Sequence, residues 1–253
     1  MKKRIIPTIL IDSGGRVITS KNFKPWRTVG VLMQALRMHD SRGADEIIII
    51  DIYASVDERT IEERLLQKIS ENIKIPVTIG GGIKSLESAK KYVYLGADKI
   101  ALNSACFDNF DLIEDIASSL GSQALVVNVN YIWSGNHPIV YDYRHAQCVS
   151  KNLFDYLYQL EAKGVGEIIL TSVEKDGTLA GYDEKIIAYL KKTQYSVPII
   201  LSGGAGRPED FKSALESESI AGAAAGSIFS FTEHTPSTLR AFCIESGIAM
   251  RRP

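Results

Sequence analysis

A closed barrel of eight parallel strands ringed by helices, the (β/α)8 fold, is the class predicted by three features of these 253 residues. Aliphatic, β-branched runs alternate eight times with stretches of helical spacing, which requires a parallel sheet. The runs are continuously apolar rather than alternating, as in strands buried on both faces. The first half of the chain is also echoed by the second: Glu46-Ile-Ile-Ile-Ile-Asp51 returns as Glu167-Ile-Ile-Leu-Thr-Ser172, and Ile75-Pro-Val-Thr-Ile-Gly-Gly-Gly-Ile83 as Val197-Pro-Ile-Ile-Leu-Ser-Gly-Gly-Ala205. A twofold repeat with four βα units per half favours closure, because eight strands enclose an interior that side chains fill.

In chain order, strands are expected at 5–11, where aliphatic residues follow Arg4, and at 46–51, a run of four isoleucines between acids. Others are expected at 77–79, ending in glycines, at 99–103 after Gly96-Ala-Asp98, and at 124–130, 167–171, 199–202 and 220–225. Between and after them, helical spacing predicts helices at 32–39, 61–69, 86–94, 112–120, 153–163, 185–192, 208–215 and 238–246. The chain shows no linker, charge block or low-complexity tract, so residues 1–253 are expected to form a single barrel domain.

Twenty-nine basic residues against thirty acidic ones leave almost no net charge, which excludes the electrostatic footprint of a nucleic-acid or anionic-membrane partner. Cys106, Cys148 and Cys243 are scattered and odd in number, and read as reduced thiols rather than a disulfide framework or zinc site. His39, His137, His145 and His234 share no ligand spacing; no metal and no cofactor are expected. The apolar stretch after Arg4 is too short for a secretory h-region or a membrane span, so a cytoplasmic location is expected.

In such a barrel the loops after the strands build the active face, and turns entering helices present backbone N–H groups to anions. Gly81, Gly82, Asn103 and Ser104 follow strands three and four and are expected to form one phosphate cup. Asp176, Gly177, Gly203, Gly204, Gly226 and Ser227 form the matching cup of the second half. The alternative is that they are only tight turns, since glycine commonly punctuates them. Recurrence at the same place in both halves favours anion sites, hence a phosphorylated small-molecule ligand with a phosphate at each end; a ligand with a single phosphate stays open.

These motifs, with Gly15-Arg-Val17, Gly96-Ala-Asp-Lys99, Gly121-Ser-Gln-Ala124, Asp176-Gly-Thr178 and Gly181-Tyr-Asp183, resemble the HisF family along essentially the whole chain. That family supplies the cyclase subunit of imidazole glycerol phosphate synthase, a TIM barrel. The resemblance implies a heterodimer with a HisH-like glutaminase docked on the strand N-terminal face, and ammonia passing through the barrel. It assigns Arg4, Glu46, Lys99 and Glu167 to a charged ammonia gate, Thr78 to the channel, and Asp98 and Gln123 to the partner interface. A ring of salt bridges that merely plugs the barrel floor is the alternative reading of those four charges.

The family's acid and base are aspartates at the ends of strands one and five. Here strand five ends in Asn130, an amide that cannot exchange a proton near neutral pH. At strand one, counting from either side of an extra residue gives Leu10 or Ile11. Asp12, just beyond, is a catalytic candidate or a turn aspartate. Asp51 is expected at the mouth as a substrate contact or a structural acceptor. Tyr131, Trp133, Tyr141 and Tyr143 lie in a two-stranded excursion after strand five.

Retained gate, retained cups and missing aspartates resemble a divergent branch of the family that works with a glutaminase and a sugar amidotransferase to make acetamidino sugars for bacterial surface polysaccharide. Arg4-Ile-Ile-Pro-Thr-Ile-Leu-Ile11 fits that branch's opening strand. Two other functions stand beside this one: a true cyclase and lyase of histidine biosynthesis, and a non-catalytic ligand sensor that activates the glutaminase.

Overall fold

The computed structural model describes residues 2–251. Its first half runs β1 (Arg4–Ile11), a hairpin of β2 (Arg16–Lys21) and β3 (Lys24–Val31), α1 (Leu32–Ser41), β4 (Ile47–Asp51), α2 (Glu63–Asn72), β5 (Val77–Gly80), α3 (Leu86–Tyr94), β6 (Lys99–Leu102), the short α4 (Ala105–Asp108) and α5 (Leu112–Leu120). The second half runs β7 (Leu125–Ser134), β8 (His137–Asp142), β9 (Gln147–Asn152), α6 (Leu153–Ala162), β10 (Glu167–Ser172), α7 (Glu184–Leu190), β11 (Ile199–Ser202), α8 (Pro208–Leu215), β12 (Ile220–Ala225), the short α9 (Ser227–Phe231) and α10 (Pro236–Glu245).

Eight of these strands close on themselves in the order β1-β4-β5-β6-β7-β10-β11-β12, every neighbour parallel, with β12 returning to β1. The expected (β/α)8 barrel is therefore the fold. Arg4 pairs with Gly222 on one side of β1, and Thr8 with Ile48 on the other.

The eight predicted helices form within a few residues of their expected limits because each has an apolar face and several have a local stop and start. Asn152 caps α6 through Phe154 N at 2.9 Å, Asp183 caps α7 through Lys185 N at 3.0 Å, and Thr235 caps α10 through Thr238 N at 3.2 Å. The predicted start at Thr238 falls two residues late because Pro236 occupies the first turn, where its missing N–H costs nothing.

Two antiparallel excursions complete the picture. β2–β3 follows the first strand of the first half, and β8–β9 follows the first strand of the second, so the internal repeat extends to these arms. The second arm matches the expected excursion after strand five; the first is new. Its turn places Asn22 and Phe23 at φ 52° and 61°, the backbone of a two-residue hairpin, but without the Asn-Gly or Asp-Gly signature.

Inside the barrel, Ile6, Ile48, Ala101, Val126, Ile169, Ile200 and Ala224 meet as one aliphatic layer, each from a different strand. The larger core fills the space between the barrel wall and the helices. Among the described residues, no helix is long and apolar enough to cross a membrane.

Candidate functional site

Below the aliphatic layer, at the strand N-terminal end, the four charges expected to form a ring come together. Arg4 donates to Glu46 Oε2 at 2.8 Å and to Glu167 Oε1; Lys99 Nζ reaches both Glu46 oxygens at 3.0 Å and Glu167 Oε2 at 2.8 Å. Thr78 donates its hydroxyl to Glu46 Oε1 at 2.7 Å. Two cations and two carboxylates make the ring neutral, with Glu46 only 1% exposed and Glu167 6%. Burial opposes the charge of Glu167, yet Arg4 and Lys99 overcome it and hold the carboxyl below its ordinary range. Asp98 and Gln123 lie exposed at the starts of β6 and β7, on this same face. The carboxylate of Asp98 accepts the Val77 N–H at 2.8 Å.

Above the layer the barrel opens into a cavity of about 620 Å³, the size of a small-molecule site. Its floor is uncharged. Asn103 Nδ2 donates to the Asn128 carbonyl at 2.5 Å, Thr171 donates to Asn128 Oδ1 at 2.9 Å, and Asn130 Oδ1 is buried with no partner among the described residues. Leu10 lines the cavity and pairs with Ile50, whereas Ile11 is fully buried in the outer core. The strand-one position that faces the mouth is thus Leu10.

Asp12 stays outside the cavity. Its carboxylate accepts from Gly14 N at 3.0 Å, Arg16 N at 2.9 Å and Arg16 Nε at 2.6 Å, so it organises the turn that absorbs the extra residue. Alternation alone would return it to the side of Leu10, but β1 ends at Ile11 and the turn beyond it carries Asp12 onto Arg16 instead. Asp51 is likewise a structural acceptor: Tyr53 N and Ala54 N donate to Oδ1 at 3.0 Å each, and Arg59 clamps both oxygens at 2.7 and 3.0 Å.

The cup residues converge on two opposite sides of the cavity: Gly81, Gly82, Asn103 and Ser104 on one, and Gly177, Gly203, Gly204, Gly226 and Ser227 on the other. Asp176, placed among the phosphate contacts by its motif, has no donor left to offer. Its N–H is spent on the Ser172 carbonyl at 3.0 Å, and its carboxylate accepts Ser20 Oγ at 2.5 Å and Phe23 N at 3.2 Å. It fastens the tip of the β2–β3 hairpin over the second cup, while burial raises its pKa. Gly177 must be glycine for the same closure: φ is +69°, and a Cβ would stand 1.9 Å from the Ser20 carbonyl oxygen. Among the described residues no lysine or arginine lines the cavity, so they offer an anion only neutral donors there.

A sequence profile described as histidine biosynthesis protein matches residues 4–235. The chain belongs to the histidine biosynthesis protein family. It is 36% identical over 251 residues to the imidazole glycerol phosphate synthase subunit HisF of Thermococcus gammatolerans, covering 99% of this chain and 98% of that one. Identity to the subunit of the same name from Chlorobium phaeovibrioides is 37% over 253 residues, 99% of both chains. For that of a Thermotoga species it is 36% over 251 residues, 99% and 98%.

Within this histidine biosynthesis family member, sequence reasoning missed Arg59, Asn128 and the pairing of Ser20 with Asp176. Only Asn128 carried a signal: it sits two residues before Asn130 and so faces the same interior. Among the described residues, no cluster of three or more His, Cys, Asp or Glu has the arrangement of a metal site.

His39, on α1 at the cavity edge, packs edge-on against Phe229 with ring centroids 5.4 Å apart. Burial, with the Arg42 charge second, lowers its pKa from 6.5 to about 4. The unfolded chain therefore binds the extra proton between pH 6.5 and 4. Stability present above pH 6.5 falls as pH drops through that window, by up to about 1.4 kcal/mol per pH unit. Urea unfolding at several pH values should show this slope, and His39→Gln should flatten it.

Proposed function

We propose that this chain is the barrel subunit of a glutamine-dependent complex, receiving ammonia from a HisH-like glutaminase and conducting it to an amidation reaction on a phosphorylated ligand. The glutaminase would dock on the face that carries Asp98 and Gln123. Ammonia would enter past Arg4, Glu46, Lys99 and Glu167 when the ring opens, pass Thr78, and cross the aliphatic layer. That layer suits neutral ammonia and opposes ammonium, whose charge would be stripped of water there. The cups around Gly82 and Gly204 would hold phosphate.

The observation that carries the reading is the pair Leu10 and Asn130 at the mouth, where ring closure would need an acid and a base. With neither, the final chemistry falls to a partner, a sugar amidotransferase in the synthesis of acetamidino sugars for surface polysaccharide. The second reading, a cyclase and lyase of histidine biosynthesis, is favoured by full-length similarity to HisF subunits.

Ammonium-dependent turnover of the doubly phosphorylated ribulosyl precursor separates them. Losing a positioned acid or base costs about a hundredfold to ten-thousandfold, so the purified chain is expected to give no turnover above background, and Leu10→Asp/Asn130→Asp to recover part of it. Robust turnover by the unaltered chain would establish the cyclase. A sensor, the third reading, would raise glutaminase activity on adding an anionic ligand even with a bulky residue at Thr78.

A further inference from the structure

The two arms of the barrel cross over. The β2–β3 hairpin belongs to the first half but seals against Asp176 and Gly177 of the second-half cup. The β8–β9 arm belongs to the second half but leans on the first-half cup. There Arg144 forks onto Asp108 at 2.6 and 2.9 Å and onto the Ser104 carbonyl at 3.2 Å, tying the arm to α4 and to the loop after β6. This clamp sets the neighbouring Tyr143 into the cavity, whose wall it lines together with Ser55 and Ser104.

The loops after β4 and β10 are equivalent in the repeat, as Asp51 and Ser172 are, and the same offset sets Ser55 opposite Asp176. The first cup thus has a hydroxyl pair, Ser55 with Tyr143, where the second has a carboxylate and a hydroxyl, Asp176 with Ser20. Ser55 also accepts the Gly82 N–H at 3.4 Å, a long bond that an incoming acceptor could take over. Burial raises the Tyr143 pKa, which keeps its phenol protonated and able to donate. Each cup has a buried carboxylate beside it, but Arg59 neutralises Asp51 at the first, whereas Asp176 at the second accepts only from Ser20 and Phe23 among the described residues and so repels an anion.

We infer that Tyr143 and Ser55 are anion-binding residues of the first-half cup, and that this cup is the tighter of the two phosphate sites, so that a ligand with unlike ends enters in one orientation. This rests on the reading of the glycine loops as phosphate cups. A phosphate oxygen would accept from the hydroxyls of Tyr143, Ser55 and Ser104 and from the Gly82 N–H. All four are neutral donors from separate loops, and the tyrosine is the one supplied by the crossed arm.

The test is a titration of the purified chain with inorganic phosphate, following the backbone amide resonances of Gly82 and Gly204 as reporters of the two cups. The unaltered chain should bind about tenfold more tightly at Gly82. Tyr143→Phe, which keeps the ring and the Arg144 clamp, should weaken the Gly82 site about tenfold and leave Gly204 within twofold; Ser55→Ala should do the same. Equal affinities at the two cups, or loss shared by both in the variants, would overturn the inference. Response at both cups with Tyr143→Phe silent would remove the tyrosine's role while leaving the cups intact. No response at either glycine would overturn the phosphate reading itself.

Discussion

Replacing Arg4 with methionine is expected to destabilise the barrel by about 3–5 kcal/mol at neutral pH, the cost of leaving buried charges without a partner. Arg4 is the link that touches both carboxylates from one side, with Lys99 from the other. Removing it leaves two negative charges, almost wholly buried, facing a single ammonium. The effect should depend on pH with a defined sign. The folded Glu167 carboxyl lies below its ordinary value of 4.5, so its contribution is fully present above pH 4.5 and is lost as pH falls through the folded value. The deficit of the variant should therefore shrink in acid. Denaturant unfolding at pH 7 and pH 4 checks both points; a deficit below 1 kcal/mol at pH 7 would mean that water already solvates the ring. Replacing all four charges together with uncharged residues of similar size should restore much of the loss, since a buried ion network often breaks even against packed neutral groups. A stable but leaky barrel from that quadruple variant, passing ammonia without control by the glutaminase, would assign the ring to gating.

The second large effect is expected at Gly82. Gly82→Ala places a Cβ 1.8 Å from the Arg59 carbonyl oxygen, at a φ of +70°. Overpacking costs about 1–3 kcal/mol, and the left-handed backbone about 1–2 kcal/mol more. Arg59 cannot retreat freely, because its guanidinium holds Asp51 and its N–H bonds to the Ala54 carbonyl at 2.9 Å. The loop after β4 must shift, carrying Ser55 away from the cup. Loss of phosphate binding and a lowered unfolding midpoint should therefore appear together. Gly135→Ala is the control: φ is +60°, but among the described residues nothing lies within 4 Å of the added carbon, so the backbone cost is what remains. Equal losses at the two glycines would show that conformation, and not the Arg59 carbonyl, decides the cost.

Barrel strands and helices were legible in the sequence because each is a local statement. Four consecutive isoleucines at β4, or Pro198 followed by Ile-Ile-Leu at β11, need no distant information. The ring of four charges was legible for a similar reason, since each stands at a strand start and closure alone brings strand starts together. The fate of the acids was not. Asp51 ends β4 while Asp12 and Asp176 sit in the loops beyond strand ends, and each is decided by a partner: Arg59 eight residues on, Arg16 four residues on, Ser20 far back in the chain. The recurring loops after the strands suggested Asp176 for a phosphate cup, yet its carboxylate holds the hairpin tip. The hairpin itself escaped because Asn22-Phe23 adopts left-handed backbone without the glycine that usually announces it.

The pairing of β1 with β12 sets a condition on how the molecule forms. Arg4 finds Gly222, and Lys3 bonds to Ala249 at 2.9 Å while Arg251 returns to Lys3 at 2.8 Å, so contacts spanning more than two hundred residues seal the wall. Neither half can complete its ladder from its own strands, and the seam joins late against a large loop entropy. A chain emerging from the ribosome carries β1 with one edge bare until the final strand arrives. Joining the ends and opening a new break between the halves, in the turn before β7, would make β12 and β1 neighbours in sequence and move the late, long-range seam to β6 and β7.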